Sequence, residues 1–355
     1  MKTLPIVLFA ILFLGSMPAK AEDIPVKFSG DVRYRHDSLK QGDEEVDHRH
    51  RLRVRFGAVS ELSEELELGL QIASGDGDPV SLNESLGEGF AKKPVNINLA
   101  YFNYKPLDGL VIVGGKIANP FFRPGESQLV WDGDLTPEGL GVSYAHQFST
   151  VKLFATGVAF WTADRSGEES DAHILGGQAG VGWKFGDFLL VGAGALYNFT
   201  KLVGYGTLID GSAFGNTLDA GDLYVNDYNL VDAALELRGR VRKVPFSVYG
   251  NLARNLAVDE ESTAFMAGLS VGEAKGKLGW RVWYNYRVVQ RDAVFGMFSD
   301  SDFGGGGTGT FGHLAGADFS VNPNLCFGLT LFLSTIDDTD QTAYNRIQLD
   351  MNVKF

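Results

Sequence analysis

The sequence predicts an all-β chain, a transmembrane antiparallel β-barrel of sixteen strands with short periplasmic turns and long outer loops. Three observations predict it. The segment from Ala343 to Phe355 alternates, with Ile347, Leu349, Met351, Val353 and Phe355 on one face and Arg346, Gln348, Asp350, Asn352 and Lys354 on the other, as a strand between lipid and water requires. Similar alternating segments of about ten residues recur along the chain, separated by turn residues. The links between them are alternately short and long, the pattern of a barrel whose two rims differ.

Taken in order, Met1 to Ala21 has a basic start at Lys2, an apolar run from Leu4 to Leu14 and a small-residue site at Ala19-Lys20-Ala21. This reads as a secretory signal peptide over 1–21, with the barrel domain over 22–355. The apolar run is too short for a spanning helix. The first six strands are expected at 26–36, 48–60, 65–73, 95–104, 110–118 and 138–148. Five more follow at 151–163, 173–185, 188–199, 229–241 and 246–258. The last five are 262–272, 278–291, 311–321, 325–335 and 343–355. One weak pair misassigned makes the count fourteen or eighteen.

Tight turns such as Ser149-Thr150, Gly186-Asp187 and Asn322-Pro323-Asn324 use residues suited to turn geometry. The long links lie at 37–47, 74–94, 119–137, 200–228 and 292–310. The link 259–261 breaks the alternation and makes the eleventh and twelfth strands the least secure. Both termini on the periplasmic side require an even count. Tyr104, Phe148, Phe185, Phe188 and Phe246 flank short turns while Tyr34, Trp161 and Phe199 lie at the opposite strand ends, giving two aromatic girdles.

Composition narrows the function. The chain has 45 Gly, 25 Phe and 12 Tyr against 11 Pro, a mixture suited to many short strands with interfacial aromatics. Losing Lys2 and Lys20 with the signal takes the formal charge from −13 to about −15, which argues against nucleic acid. The single Cys326 excludes an intrachain disulfide and reads as a small packed residue. Acidic runs at Gly42-Asp43-Glu44-Glu45 and 336–340 read as solvated loops.

The second strand carries the most specific chemistry. Arg49, Arg51, Arg53 and Arg55 share one face, with Leu52, Val54 and Phe56 on the other. Facing lipid, an arginine near the midplane costs about 2 to 4 kcal/mol, so this face turns inward. The first strand adds Arg33 and Arg35, the last adds Arg346 and Lys354, and closure sets the three strands side by side. A basic wall lining a pore is expected, although the same arginines could neutralise luminal acids such as Asp31 and Asp350. The third outer link, from Asn119 to Asp134, is apolar and aromatic for an exposed loop. Folded inward, it would carry Arg123, Glu126, Asp132 and Asp134 opposite the arginines, narrow the pore and set a field across it. The competing reading packs it against outer loops or a partner subunit.

The motifs Gly114-Gly115-Lys116, Asn119-Pro120-Phe121, Arg123-Pro124, Leu129 to Asp134 and Pro137-Glu138-Gly139 resemble the putative porin family of Gram-negative bacteria. Asp31 to Arg35, His50 to Arg55, and Asp78-Pro79-Val80 with Gly89-Phe90 resemble the same family. The second half, from about Asp164, matches in strand rhythm alone. The resemblance implies passive transport through an outer-membrane channel, and supplies no substrate and no catalytic residue.

Other chemistry is weaker. His48-x-His50 could hold a metal but has no evident third ligand, and reads as an interfacial pair beside Leu52. Gly75 to Asp78 lacks the full ligand set of a calcium loop. Gly304 to Gly307 lacks the Gly-Lys-Ser/Thr of a phosphate cradle and reads as a flexible outer loop. No nucleophile motif accompanies the six histidines. The expected partners are outer-membrane lipid, ions and small hydrophilic solutes, the barrel-assembly machinery through the C-terminal strand, and further copies in a homotrimer, with no cofactor. An adhesive or structural barrel and an outer-membrane hydrolase are the alternatives.

Overall fold

The computed structural model describes residues 25–165, 171–209 and 211–355, so the signal-peptide assignment over 1–21 falls outside the described residues. Seventeen strands follow in order: β1 (Val26–Gln41), β2 (Asp47–Glu61), β3 (Leu66–Ser74), β4 (Glu84–Ser85), β5 (Val95–Leu107), β6 (Leu110–Lys116), β7 (Glu138–Gln147), β8 (Val151–Ala163) and β9 (Ala172–Phe185). Then come β10 (Phe188–Phe199), β11 (Tyr228–Val241), β12 (Val244–Asn255), β13 (Thr263–Glu273), β14 (Gly279–Val289), β15 (Thr310–Asn322), β16 (Leu325–Ile336) and β17 (Thr342–Lys354). The two-residue β4 is a rung on β2 inside a long link. The other sixteen form an antiparallel ring that closes where β17 pairs with β1.

The sixteen wall strands occupy the sixteen expected segments, with two instructive differences. β1 continues to Gln41 because Asp37, expected to open a loop, is an inward residue neutralised by arginine. β12 stops at Asn255 and β13 begins at Thr263. That link is therefore 256–262, longer than expected, and the alternation of short and long holds around the ring.

Burial is inverted relative to a water-soluble protein. Leu68, Leu70, Ile72, Leu140, Val142, Leu349 and Met351 are exposed, while Asp31, Gln178, Asn251 and Gln348 are buried. The apolar rows face outward, as lipid demands, and the polar rows face the lumen. At the short-turn rim Phe28, Phe56 and Phe355 stack, with ring centroids 5.7 and 6.4 Å apart. Gly30 exchanges two 3.1 Å backbone hydrogen bonds with Phe355, and a Cβ there would lie 2.5 Å from the Phe355 ring. Glycine at this position is what lets the terminal ring lie flat on the wall.

The apolar core sits inside the barrel and is made by loops. Phe121, Leu129 and Trp131 of the 117–137 loop, Phe295 and Phe298 of the 290–309 loop, and Tyr224 of the 200–227 loop pack on Phe160, Tyr197, Phe199 and Tyr228 of the wall. Trp131 meets Tyr197 edge-on at 5.1 Å and stacks with Phe298 at 6.4 Å. Burial of rings of this size is a large stabilising term. The glycine run expected to be a flexible loop is part of this inward packing. Gly304 and Gly307 are buried, and Gly304 to Gly307 all take positive φ, at 61°, 89°, 99° and 87°, a backbone path open chiefly to glycine.

Candidate functional site

Seven arginines converge on one stretch of the inner wall because β17, β1 and β2 are ring neighbours. Register sets Arg33 opposite Arg53, and Arg35 opposite both Arg51 and Asp350. Like charges facing across strands repel, and carboxylates interleave to prevent it. Asp31 accepts from Arg53 at 3.0 Å and Arg55 at 2.7 Å. Asp37, with no exposed surface, accepts from Arg346 at 2.7 and 2.5 Å and from Arg49 at 3.3 Å, with Arg51 at 3.9 Å. Asp350 receives both arms of Arg35, at 2.7 and 2.8 Å, the bidentate geometry that fixes a guanidinium most firmly.

Loops supply two further carboxylates. Asp134 lies 3.5 Å from Arg53. Asp302, from the 290–309 loop, binds Arg346 at 2.8 Å and Arg35 at 3.2 Å and accepts from Gln348 at 3.1 Å. Burial opposes its ionisation, but Arg346 and Arg35 outweigh that and hold its carboxyl well below the usual range. With Asp47 on Arg49 at 3.4 Å, the seven arginines meet six carboxylates. Among the described residues, Arg33 alone of the seven has no carboxylate within 4 Å, donating instead to Asn83 at 2.6 Å. The basic wall is thus an ion-pair lattice. Lys354, expected to extend it, stands opposite Asp31 at the short-turn rim, exposed and in no ion pair among the described residues.

The 117–137 loop leaves β6, crosses the lumen and binds the far wall. The Phe122 N–H donates to Gln178 Oε1 on β9 at 2.7 Å, and its carbonyl accepts from Gln178 Nε2 at 3.0 Å. Gly125 N–H donates to Glu236 on β11 at 3.2 Å, and Ser127 hydroxyl meets Asn251 on β12 at 2.7 Å. Gly125 and Glu126 take φ of 57° and 60° at the tip, and a Cβ on Gly125 would lie 2.5 Å from the Tyr249 ring. That contact explains the glycine.

The four candidate residues of this loop have separate fates. Glu126 is 85% exposed, 3.8 Å from Arg281. Arg281 also binds Asp318 at 2.9 Å, and Arg238, half-exposed, binds the buried Glu236 at 2.7 Å. Arg123 turns into its own loop, donating to the carbonyls of Trp131 at 2.9 Å and Asp132 at 3.2 Å. The Asp132 carboxylate is in no ion pair among the described residues, its arginine neighbour Arg123 being bound to the backbone carbonyl. The Asp132 N–H donates to Phe298 O at 2.7 Å and its carboxylate accepts from Ser301 N–H at 2.9 Å, tying the two inward loops together. Burial, then the nearby Asp300, pushes its carboxyl well above the usual range. The loop acids therefore meet two separate stretches of wall, Asp134 on the arginine lattice and Glu126 beside Arg281 of β14.

Sequence reasoning missed Arg238, Arg281 and Asp302. A signal for the 290–309 loop was available, since Ala293-Val294-Phe295-Gly296-Met297-Phe298 is as apolar as the 119–134 segment. His48 and His50 do lie on the outer face near Leu52. There they pack with His36, at ring distances of 5.6 and 4.9 Å, and His50 bonds Tyr34 hydroxyl at 2.7 Å.

A closed sixteen-strand ring with lipid-type residues outside and ordered charge inside is the architecture of a membrane channel. A family model described as Putative porin matches residues 22–212 and 229–355. The chain belongs to this porin family. It is an outer-membrane porin of bacteria. Among solved structures, the porin is similar to OprB of Pseudomonas putida, with TM-score 0.63 and 12% identity over 93% of this chain and 94% of that one. It is similar to OmpF of Salmonella typhi in complex with daunomycin, at TM-score 0.58 and 14% identity over 94% and 98%. A loop-deletion mutant of OmpT from Vibrio cholerae aligns at TM-score 0.54 and 12% identity over 94% and 100%. At these identities the likeness speaks for the fold. No curated protein matches the sequence.

Proposed function

We propose that the porin lets ions and small hydrophilic solutes diffuse passively through a water-filled lumen constricted by the 117–137 loop. The observation that carries this reading is the loop's course from β6 to its bonds on β11 and β12, the latter six wall strands around a ring of sixteen. A loop crossing that far occupies the cross-section. Selectivity then rests on charges that face water at its tip: Glu126 against Arg238 and Arg281. The arginine lattice lines and stiffens a separate stretch of wall, its charge largely cancelled by Asp31, Asp37, Asp302 and Asp350. The overall acidity has little influence, because charge in distant loops is screened beyond roughly 8 to 10 Å in physiological salt.

Transport of this kind needs no energy source, cofactor or catalytic group. A homotrimer is the assembly we expect. The test is conductance in planar bilayers. The reading expects single-channel steps in potassium chloride that enlarge when 119–134 is replaced by a short glycine-serine linker. A correctly folded protein that never conducts would sink it and favour the adhesive or structural barrel.

A further inference from the structure

Inward folding of the 117–137 loop leaves the barrel wall low at its base. β6 ends at Lys116, opposite Ala100, whereas β5 begins five residues farther out at Val95. Gly139 at the start of β7 lies opposite Phe160, while β8 continues to Ala163. Chain that would otherwise raise this part of the rim has gone into the lumen. A cavity of about 310 Å³ opens there, within the range of small-ligand sites.

Its lining shows that the wall is breached. Ile97 and Trp161 belong to the outer, lipid-facing rows and are 58% and 57% exposed, whereas Phe160 and Ile174 point inward and are buried, yet all four line the same space. Trp131 and Phe298 of the inward loops form its inner end. The rim is polar and unequal in charge. Lys116 is spent on Thr136 carbonyl at 3.0 Å and Glu138 at 3.1 Å. Asp78 accepts a hydrogen bond from Val80 N–H at 2.9 Å and is in no ion pair among the described residues.

We infer that this side pocket binds a small amphiphile with an aromatic or aliphatic body and a cationic amine, entering from the outer leaflet across the lowered wall between β5 and β8. The body is held by Trp131, Phe160, Ile174 and Phe298, and the amine meets Asp78. This route is separate from the aqueous lumen and stands whatever solute the lumen passes.

The test uses the full barrel in zwitterionic lipid nanodiscs, titrated calorimetrically with 1-naphthylmethylamine and, separately, 1-naphthoate. The amine should bind saturably at one site, about fivefold tighter than the carboxylate, a difference of the size one charge contact supplies. Asp78→Asn should erase the preference. Ala73→Phe, which fills the cavity from β3, should abolish binding of both, and Thr136→Phe serves the same purpose from the loop if the first variant fails to fold. Photolabelling with a benzophenone-bearing amine should mark peptides containing Ile97 and Trp161. Unsaturable uptake equal to empty nanodiscs, equal affinities unchanged by Asp78→Asn, or labelling confined to lumen residues would each overturn the proposal.

Discussion

Two stretches of the inner wall both pair their arginines with carboxylates, and they differ in how much of that charge is left facing water. The wall made by β17, β1 and β2 carries seven arginines, nearly all clamped, with Arg35, Arg346 and Asp37 buried. On β11 and β14, Arg238 and Arg281 beside the loop tip are exposed over 51% and 38% of the side chain, against 32% for Arg49 and 29% for Arg55, while Arg287 of β14 is buried on Asp300. A run of like charges in a strand is therefore a poor guide to the field a solute meets. Charges that must be packed recruit counter-charges, and the field is left to the few that face water.

The largest effect should come from removing the loop that touches both stretches. Replacing 119–134 by a short linker is expected to raise single-channel conductance about two- to threefold, as the proposed constriction is removed. An unchanged conductance would mean the loop does not limit flow, and the contrast between the stretches would lose its functional meaning. A finer displacement is Gly125→Val. The added side chain meets Tyr249 and sits at φ 57°, costing about 1 to 3 kcal/mol. Conductance should rise modestly with a lowered unfolding temperature, and a variant with wild-type values on both would contradict the seating of the tip.

Asp302 tests what holds the clamped wall. Its carboxyl titrates below its unfolded value, so its contribution is complete above the ordinary carboxylate range and is lost only as pH falls through the depressed value. Amide exchange of 298–303, corrected for intrinsic rates, should therefore show no loosening at Asp302's contacts between pH 7 and 5. Asp302→Asn leaves Arg35 and Arg346 short of a partner and should accelerate that exchange roughly thirtyfold, about 2 kcal/mol. Asp132 has the opposite sign. Its carboxyl is raised, so the cost of burying its charge is relieved as pH falls through the raised value. The Ser301 amide should gain a little protection in mild acid, and a loss there would contradict the loop tie.

Much of the fold was legible because alternation is a local property. The row Arg49, Arg51, Arg53, Arg55 could turn only inward, and the final strand, expected over 343–355, runs from Thr342 to Lys354. Strand ends were less legible where a residue's partner is distant in sequence. Asp37 extends β1 because Arg346, more than three hundred positions away, neutralises it. The same limit hid the state of the arginines. Asp302 reaches them from a loop that sequence reading sent outward on the strength of its glycines. The pairing of Glu126 with Arg281 depends on which strands close opposite β6, which no window of sequence contains.

The central claim is that exposed charge at the loop tip, and not the arginine row, sets selectivity. The reversal potential in a potassium chloride gradient measures it directly, comparing Arg238→Gln/Arg281→Gln with Arg51→Gln/Arg53→Gln. The account predicts that the first pair lowers the anion-to-cation permeability ratio about two- to fivefold and the second pair changes it far less. A larger shift from the Arg51 and Arg53 pair, with Arg238 and Arg281 silent, would contradict it.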